Sequence, residues 1–114
     1  MVLLDEGLSK IATDFAATIT QGQWGTGTAD PGPSNTGLGS AIPQSLLSTN
    51  YIVSGNSVQY THELLAGLAN GFDLTEFEVR FANSDSLNRA VGGPISKTSS
   101  YEIITITSVT FVRN

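Results

Sequence analysis

The chain has 114 residues, enough for one hydrophobic core and too few for two. It has no cysteine and a single histidine, which removes disulfides, iron–sulfur clusters, thiol catalysis and cysteine-based structural zinc. The formal net charge is −5, and residues 11–79 hold six acids with no lysine or arginine, so that stretch has nothing to neutralise phosphates and argues against nucleic-acid binding.

Met1-Val2-Leu3-Leu4 lacks the basic flank and the apolar length of a secretory signal, and no apolar run nears the roughly 20 residues of a membrane helix. Neither membrane insertion nor secretion by that route is expected. Leu4, Leu8, Ile11, Phe15 and Ile19 recur at helical spacing, which predicts one N-terminal helix over about residues 4–19. Residues 21–43 are rich in glycine and proline and read as a long ordered surface loop anchored by Trp24.

From there the period drops to two. Val58, Tyr60, His62 and Leu64 alternate with Ser57, Gln59, Thr61 and Glu63, a half-buried strand, and Ser54-Gly55-Asn56 joins it to Tyr51-Ile52-Val53 in a tight hairpin. Phe77, Val79 and Phe81 alternate with Glu76, Glu78 and Arg80 in another strand, and Leu87–Val91 forms a short one that Gly92-Gly93-Pro94 should end. Tyr101–Val112 is apolar on both faces and is expected to be a central strand. The whole reads as one domain, 1–114, mainly β: an antiparallel β-sandwich over about 51–112 with one short N-terminal helix and the Gly/Pro-rich loop.

Chemical motifs are sparse. His62 would have to serve any histidine-based catalysis, yet it shares a face with Val58, Tyr60 and Leu64 and reads as a core or interface histidine. Glu76 and Glu78 resemble a glycosidase carboxylate pair in type, but their alternation with Phe77 and Val79 reads as a solvated strand face. Asn83–Asn88 lacks the pattern of a calcium loop and reads as a turn; Gly25–Asp30 lacks the third glycine and the βαβ setting of a dinucleotide site. No enzyme, metal or cofactor is expected. Trp24, Tyr51 and Tyr101 are the candidate contacts for a partner protein or a glycan. After Lys10 every base lies in residues 80–114, at Arg80, Arg89, Lys97 and Arg113. Scattered surface charge is the plainer reading, and head-to-tail steering between copies the alternative.

Taken in order, the motifs resemble the small helix-plus-β-sandwich domain of tail fibre, tail-collar and related virion proteins of tailed bacterial and archaeal viruses. They are the helix Leu8–Ile19, Gly25-Thr26-Gly27-Thr28 followed by Asn35-Thr36-Gly37-Leu38-Gly39, Ser54–Val58, Leu65–Gly71, the strand Leu74–Phe81, Arg89-Ala90-Val91 and the Thr-rich end closing on Thr110-Phe111. Glu78 and Arg80 depart from it, standing where the family has glycine and a small or apolar residue. The resemblance implies a non-enzymatic structural protein located in the virion, associated with tail, baseplate or fibre and expected to be a free-standing subunit. Its implied partners are copies of itself, as a trimer, and other virion proteins. A capsid decoration or turret protein and a carbohydrate-binding attachment module on host surface glycans are the alternatives.

Overall fold

The computed structural model describes residues 2–113, and their order is α1 (Asp5–Ala16), β1 (Ile19–Gly25), β2 (Ala41–Ser48), β3 (Asn50–Ser54), β4 (Ser57–Leu64), β5 (Asp73–Phe81), β6 (Ser86–Ser96) and β7 (Ile103–Thr110). The strands form two antiparallel sheets, β2-β1-β5-β6 and β3-β4-β7, the β-sandwich with a short helix that the alternation predicts.

The helix is shorter than the 4–19 stripe and is turned slightly from it. Leu8, Ala12 and Ala16 are buried while Ile11 is exposed, so the small alanines let α1 lie close to the sheet, and the Tyr60 hydroxyl donates to Ala16 O at 3.1 Å. Thr18 ends the helix: its backbone N–H and its hydroxyl both bond to Phe15 O, an alternative to continuing the ladder. β1 then starts at once, with Ile19 in the core.

The segment 21–43 is therefore not loop throughout. Strands occupy both of its ends, and residues 26–40 between them carry no helix or strand. Glycines mask β1 because Gly22 and Gly25 supply no side chain to alternate, while β2 carries Pro43, which its position on a sheet edge tolerates. The hairpin at Gly55-Asn56 is as expected, with Ser54 opposite Ser57 and Gly55 at φ +57°.

Two further expectations are corrected. Tyr101–Val112 is not a central strand: β7 pairs with β4 alone and forms a sheet edge, so its second apolar face, Ile104 and Ile106, looks outward at 59% exposure. Gly92-Gly93-Pro94 does not end pairing either. The ladder with β5 runs from Ser86 to Val91 with one shift at Leu87, bulges, and resumes at Ile95 and Ser96 opposite Leu74 and Asp73.

The core lies between the sheets in two clusters, one around Trp24, Leu47, Leu64, Leu74 and Phe77, the other around Ala12, Ile19, Val58, Tyr60 and Val79 under the helix. The layers are unequal. Asn88 and Ala90 pair with the core residues Val79 and Phe77 and so face inward, yet both are exposed, and a cleft of about 530 Å³ opens there between β6 and β7.

Candidate functional site

The polar chemistry of the molecule gathers on the outer face of the four-stranded sheet. Glu76, Glu78 and Arg80 alternate outward on β5, with Gln23 on β1 and Arg89 on β6 beside them through the pairs Gln23↔Glu78 and Glu78↔Arg89. In an uncovered sheet these side chains would be solvated. Instead residues 26–40 cross the face as a strap, and Glu76 and Glu78 are buried, 1% and 5% exposed. The expectation of a solvated carboxylate face is overturned by that cover.

Glu76 is the pin of the strap. Its carboxylate accepts backbone N–H bonds from Gly27 at 2.7 Å, Gly39 at 2.8 Å and Ser40 at 2.9 Å, and Arg89 Nε donates to it at 2.8 Å. Both ends of the strap thus close on one side chain. The approach is so near that a Cβ on Gly27 would stand 2.5 Å from one Glu76 oxygen and 2.7 Å from the other. Thr75 reinforces the clasp by donating to Gly27 O at 2.8 Å, and Arg89 also reaches Asn35 Oδ1 at 3.2 Å. Burial alone would raise the Glu76 pKa, but the bonds from Gly39, Arg89, Ser40 and Gly27 outweigh it and hold the carboxyl below its ordinary value. A carboxylate offers about four lone-pair sites, and four donors fill them, so Glu76 is set as a structural anchor and not as a proton carrier.

Glu78 has the opposite environment. Oε1 lies 3.5 Å from Arg80 Nε, Oε2 is buried beside Gly37 without a partner, and burial pushes its carboxyl above the ordinary value despite Ser86 and Arg80. Arg80 is held in turn by Gln23 Oε1 at 3.0 Å.

His62 stands in the core as its alternation predicts, wholly buried, edge-on to Phe77 with 5.5 Å between ring centroids. Nε2 lies 2.7 Å from Thr49 Oγ1 and Nδ1 has no partner. A charged ring needs two acceptors, so burial lowers its pKa and keeps it neutral. Tyr60, likewise buried and next to Tyr51, has its hydroxyl pushed up to about 12.

The three aromatic candidates do not meet. Trp24 is neither in a loop nor exposed: it sits within β1, 9% accessible, its ring 4.9 Å from that of Phe77, and it anchors the core. Tyr51 is half-exposed on β3 and Tyr101 on the approach to β7, so they flank opposite edges of the three-stranded sheet and form no common stacking platform.

Sequence reasoning missed Lys97. It is 1% exposed, and its ammonium donates to Asn70 Oδ1, Thr98 O and Ala66 O at 2.9–3.2 Å, clasping the connection between β4 and β5. With Arg80 and Arg89 also paired to carboxylates on the outer face of the four-stranded sheet and largely covered, the C-terminal third presents little positive surface, and the charge skew of the sequence does not become a pair of oppositely charged faces. Arg113 pairs with Asp5, Lys10 with Asp14.

What faces solvent across the three-stranded sheet is different. Ile52, Ile104 and Ile106 project outward at 69%, 59% and 59% exposure among Asn50, Gln59, Thr61, Ser108 and Thr110, with Glu63 the one charge. Among the described residues no cluster of three or more His, Asp or Glu is placed to hold a metal ion, and no helix is long and apolar enough to cross a membrane. Comparison with family models, with curated proteins and with solved structures finds no match to this chain.

Proposed function

We propose that the chain is a non-enzymatic structural subunit of a tailed-virus particle, a tail-, baseplate- or fibre-associated protein that works through contacts of its β-sandwich with neighbours. The observation that carries this reading is the outer face of the β3-β4-β7 sheet, which has three exposed isoleucines, no lysine or arginine and one glutamate. Ile104 and Ile106 are neighbours along β7, Ile52 stands across the polar β4 row from them, and large apolar side chains left exposed on an almost uncharged sheet face support a protein–protein contact. The polar groups support it from the other side. The buried carboxylates and guanidinium groups are bound to one another and to the strap, so they build rigidity into the four-stranded sheet and leave the opposite sheet as the presenting surface.

The motif order adds to this. The Gly-Thr-Gly-Thr and Asn-Thr-Gly-Leu-Gly pieces lie in or beside the strap, and the Leu74–Phe81 strand supplies its pin, so residues far apart in the sequence act as one unit.

The test is direct. Particles purified from the culture whose genome encodes the chain are probed with an antibody against it and imaged, and label is expected on the tail or baseplate. Label over the capsid shell would turn the reading to a decoration protein, and absence of the chain from purified particles by mass spectrometry would overturn it. Replacing Ile104 and Ile106 together by threonine should change folding stability by no more than about 1 kcal/mol, as solvent-facing sites do, and should remove the chain from particles.

A further inference from the structure

The two layers of the sandwich differ by one strand, four against three, and the difference is left open on one side. Asn88 and Ala90 of β6 face the interior direction with nothing over them, and Ile95 beyond the bulge is 39% exposed. Trp24, Leu74 and Phe77 line the floor of the cleft, β7 forms its wall, and the indole Nε1 of Trp24 is buried without an acceptor. This is the place of a missing strand.

Of the two edges bounding the notch, β7 is open along its whole length and β6 along its first half. β7 runs eight residues in unbroken register with β4, from Ile103 to Thr110, and contains no charge, proline or glycine. Sheet edges are ordinarily blunted by such features. The other edges have them: Pro43 in β2, the Gly92-Gly93-Pro94 bulge late in β6, and in β3 a length of only five residues with the helix packed beside it. β6 nevertheless keeps a regular stretch, Glu76 to Val79 facing Val91 to Asn88, between its two irregularities, one at Leu87 and one at the Gly92-Gly93-Pro94 bulge.

We infer that a second copy of this chain fills the notch, its β6 pairing with β7 and its notch receiving β6 in return. This goes beyond the assembly reading above, which rests on the outer face of the three-stranded sheet, by naming a second copy as the occupant of a different surface. The geometry closes by symmetry. Ser96 at the end of β6 lies opposite Asp73, Ile103 at the start of β7 lies opposite Leu64, and Lys97 ties both places to the 65–72 connection, so β6 ends where β7 begins and the two run in opposite directions. A two-fold axis parallel to the strands preserves their direction. It therefore lays β6 of the partner antiparallel along β7, and stacks the two exposed β6 faces, Asn88 and Ala90 against their equivalents, across the axis. Each four-against-three sandwich is completed by the other, and the interface is isologous.

Charge and size agree with this occupant. β7 is uncharged, and the single charge of β6, Arg89, points the other way into Glu76, so the interface buries no unpaired ion. β6 from Ser86 to Val91 and the eight residues of β7 lie along each side of the contact, the small end of the range for stable interfaces.

The experiment uses the whole chain. Light scattering should give a dimer for the wild type, and Ala90→Arg, at a site exposed in the subunit and therefore harmless to its fold, should weaken dimerisation by at least about tenfold. Ile52→Arg, on the outer sheet face at the far edge, should leave the dimer intact. Since the chain has no cysteine, Ala90→Cys should be joined to its equivalent by a short bismaleimide, and Ile52→Cys should not. A monomeric wild type, a trimer as the family resemblance implies, or an Ala90→Arg variant that stays dimeric with an unchanged circular dichroism spectrum, overturns the interlocked pair. Any of these results together with particle labelling leaves the virion reading standing, and a dimer from particles that lack label does the reverse.

Discussion

Glu76 shows how much of this fold rests on one carboxylate. Truncating it to alanine removes the acceptor of three strap amides and leaves Arg89, 5% exposed at its side chain, without a counter-charge. Breaking a buried pair in this way costs about 3–5 kcal/mol, which urea unfolding of Glu76→Ala would measure. The pH dependence has two signs. Glu76 is held below its ordinary 4.5, so its contribution is complete above that value and is lost as pH falls through the lowered folded value. His62 acts the same way at higher pH: its folded pKa lies below 6.5, the unfolded chain binds the extra proton, and stability falls on acidification below 6.5. Glu78 opposes both. Its raised folded pKa gives stability that is complete below 4.5 and lost as pH rises through the folded value. Glu78→Gln should therefore stabilise the protein at neutral pH and lose that advantage below 4.5, and His62→Gln should flatten the slope just under 6.5. Denaturant midpoints measured across pH check both. Gly22 makes a steric prediction: a Cβ there would meet His62 Cδ2 at 2.7 Å and Phe77 Cζ at 2.8 Å, so Gly22→Ala should destabilise by about 1–3 kcal/mol through overpacking.

Among the elements, the strap is the one whose integrity is easiest to challenge. Gly27→Ala would push a methyl group into both Glu76 oxygens, and the expected result is rapid proteolytic cleavage within residues 26–40 under conditions where the wild type resists. Uncut strap in that variant would contradict the pin. The same segment explains what the amino-acid order reveals and what it hides. Strands with clean alternation, such as Val58-Tyr60-His62-Leu64, are legible because one face is core and the other solvent. β1 is illegible because glycine has no face to declare, and β5 misleads because alternation reports an apolar side and a polar side without saying what covers the polar one. Glu76 and Glu78 look solvated for that reason. The cover comes from residues some 36 to 49 positions away, a relation that no local period carries. β7 misled differently: two apolar faces suggest a strand buried on both sides, and here the second face is an exposed one. That mismatch is the observation on which the proposed contact surface rests.

At the scale of the whole molecule, the covering of Arg80, Arg89 and Lys97 makes the exposed surface acidic and removes the basis for head-to-tail electrostatic steering. Association through sheet edges and apolar rows depends little on ionic strength, so raising salt should leave the dimer constant within about a factor of three, where a charge-steered contact would weaken steeply. The molecule is also elongated, 53 by 29 by 23 Å, with the notch along a side. In the proposed pair this side is completed by another subunit. Hydrogen exchange tests it most directly. On raising the protein concentration through the dimer transition, amides of β7 between Ile103 and Thr110 and of β6 between Ser86 and Val91 should slow together, while those of β3 and of the strap keep their rates. Exchange along β6 and β7 that stays fast at every concentration would contradict it.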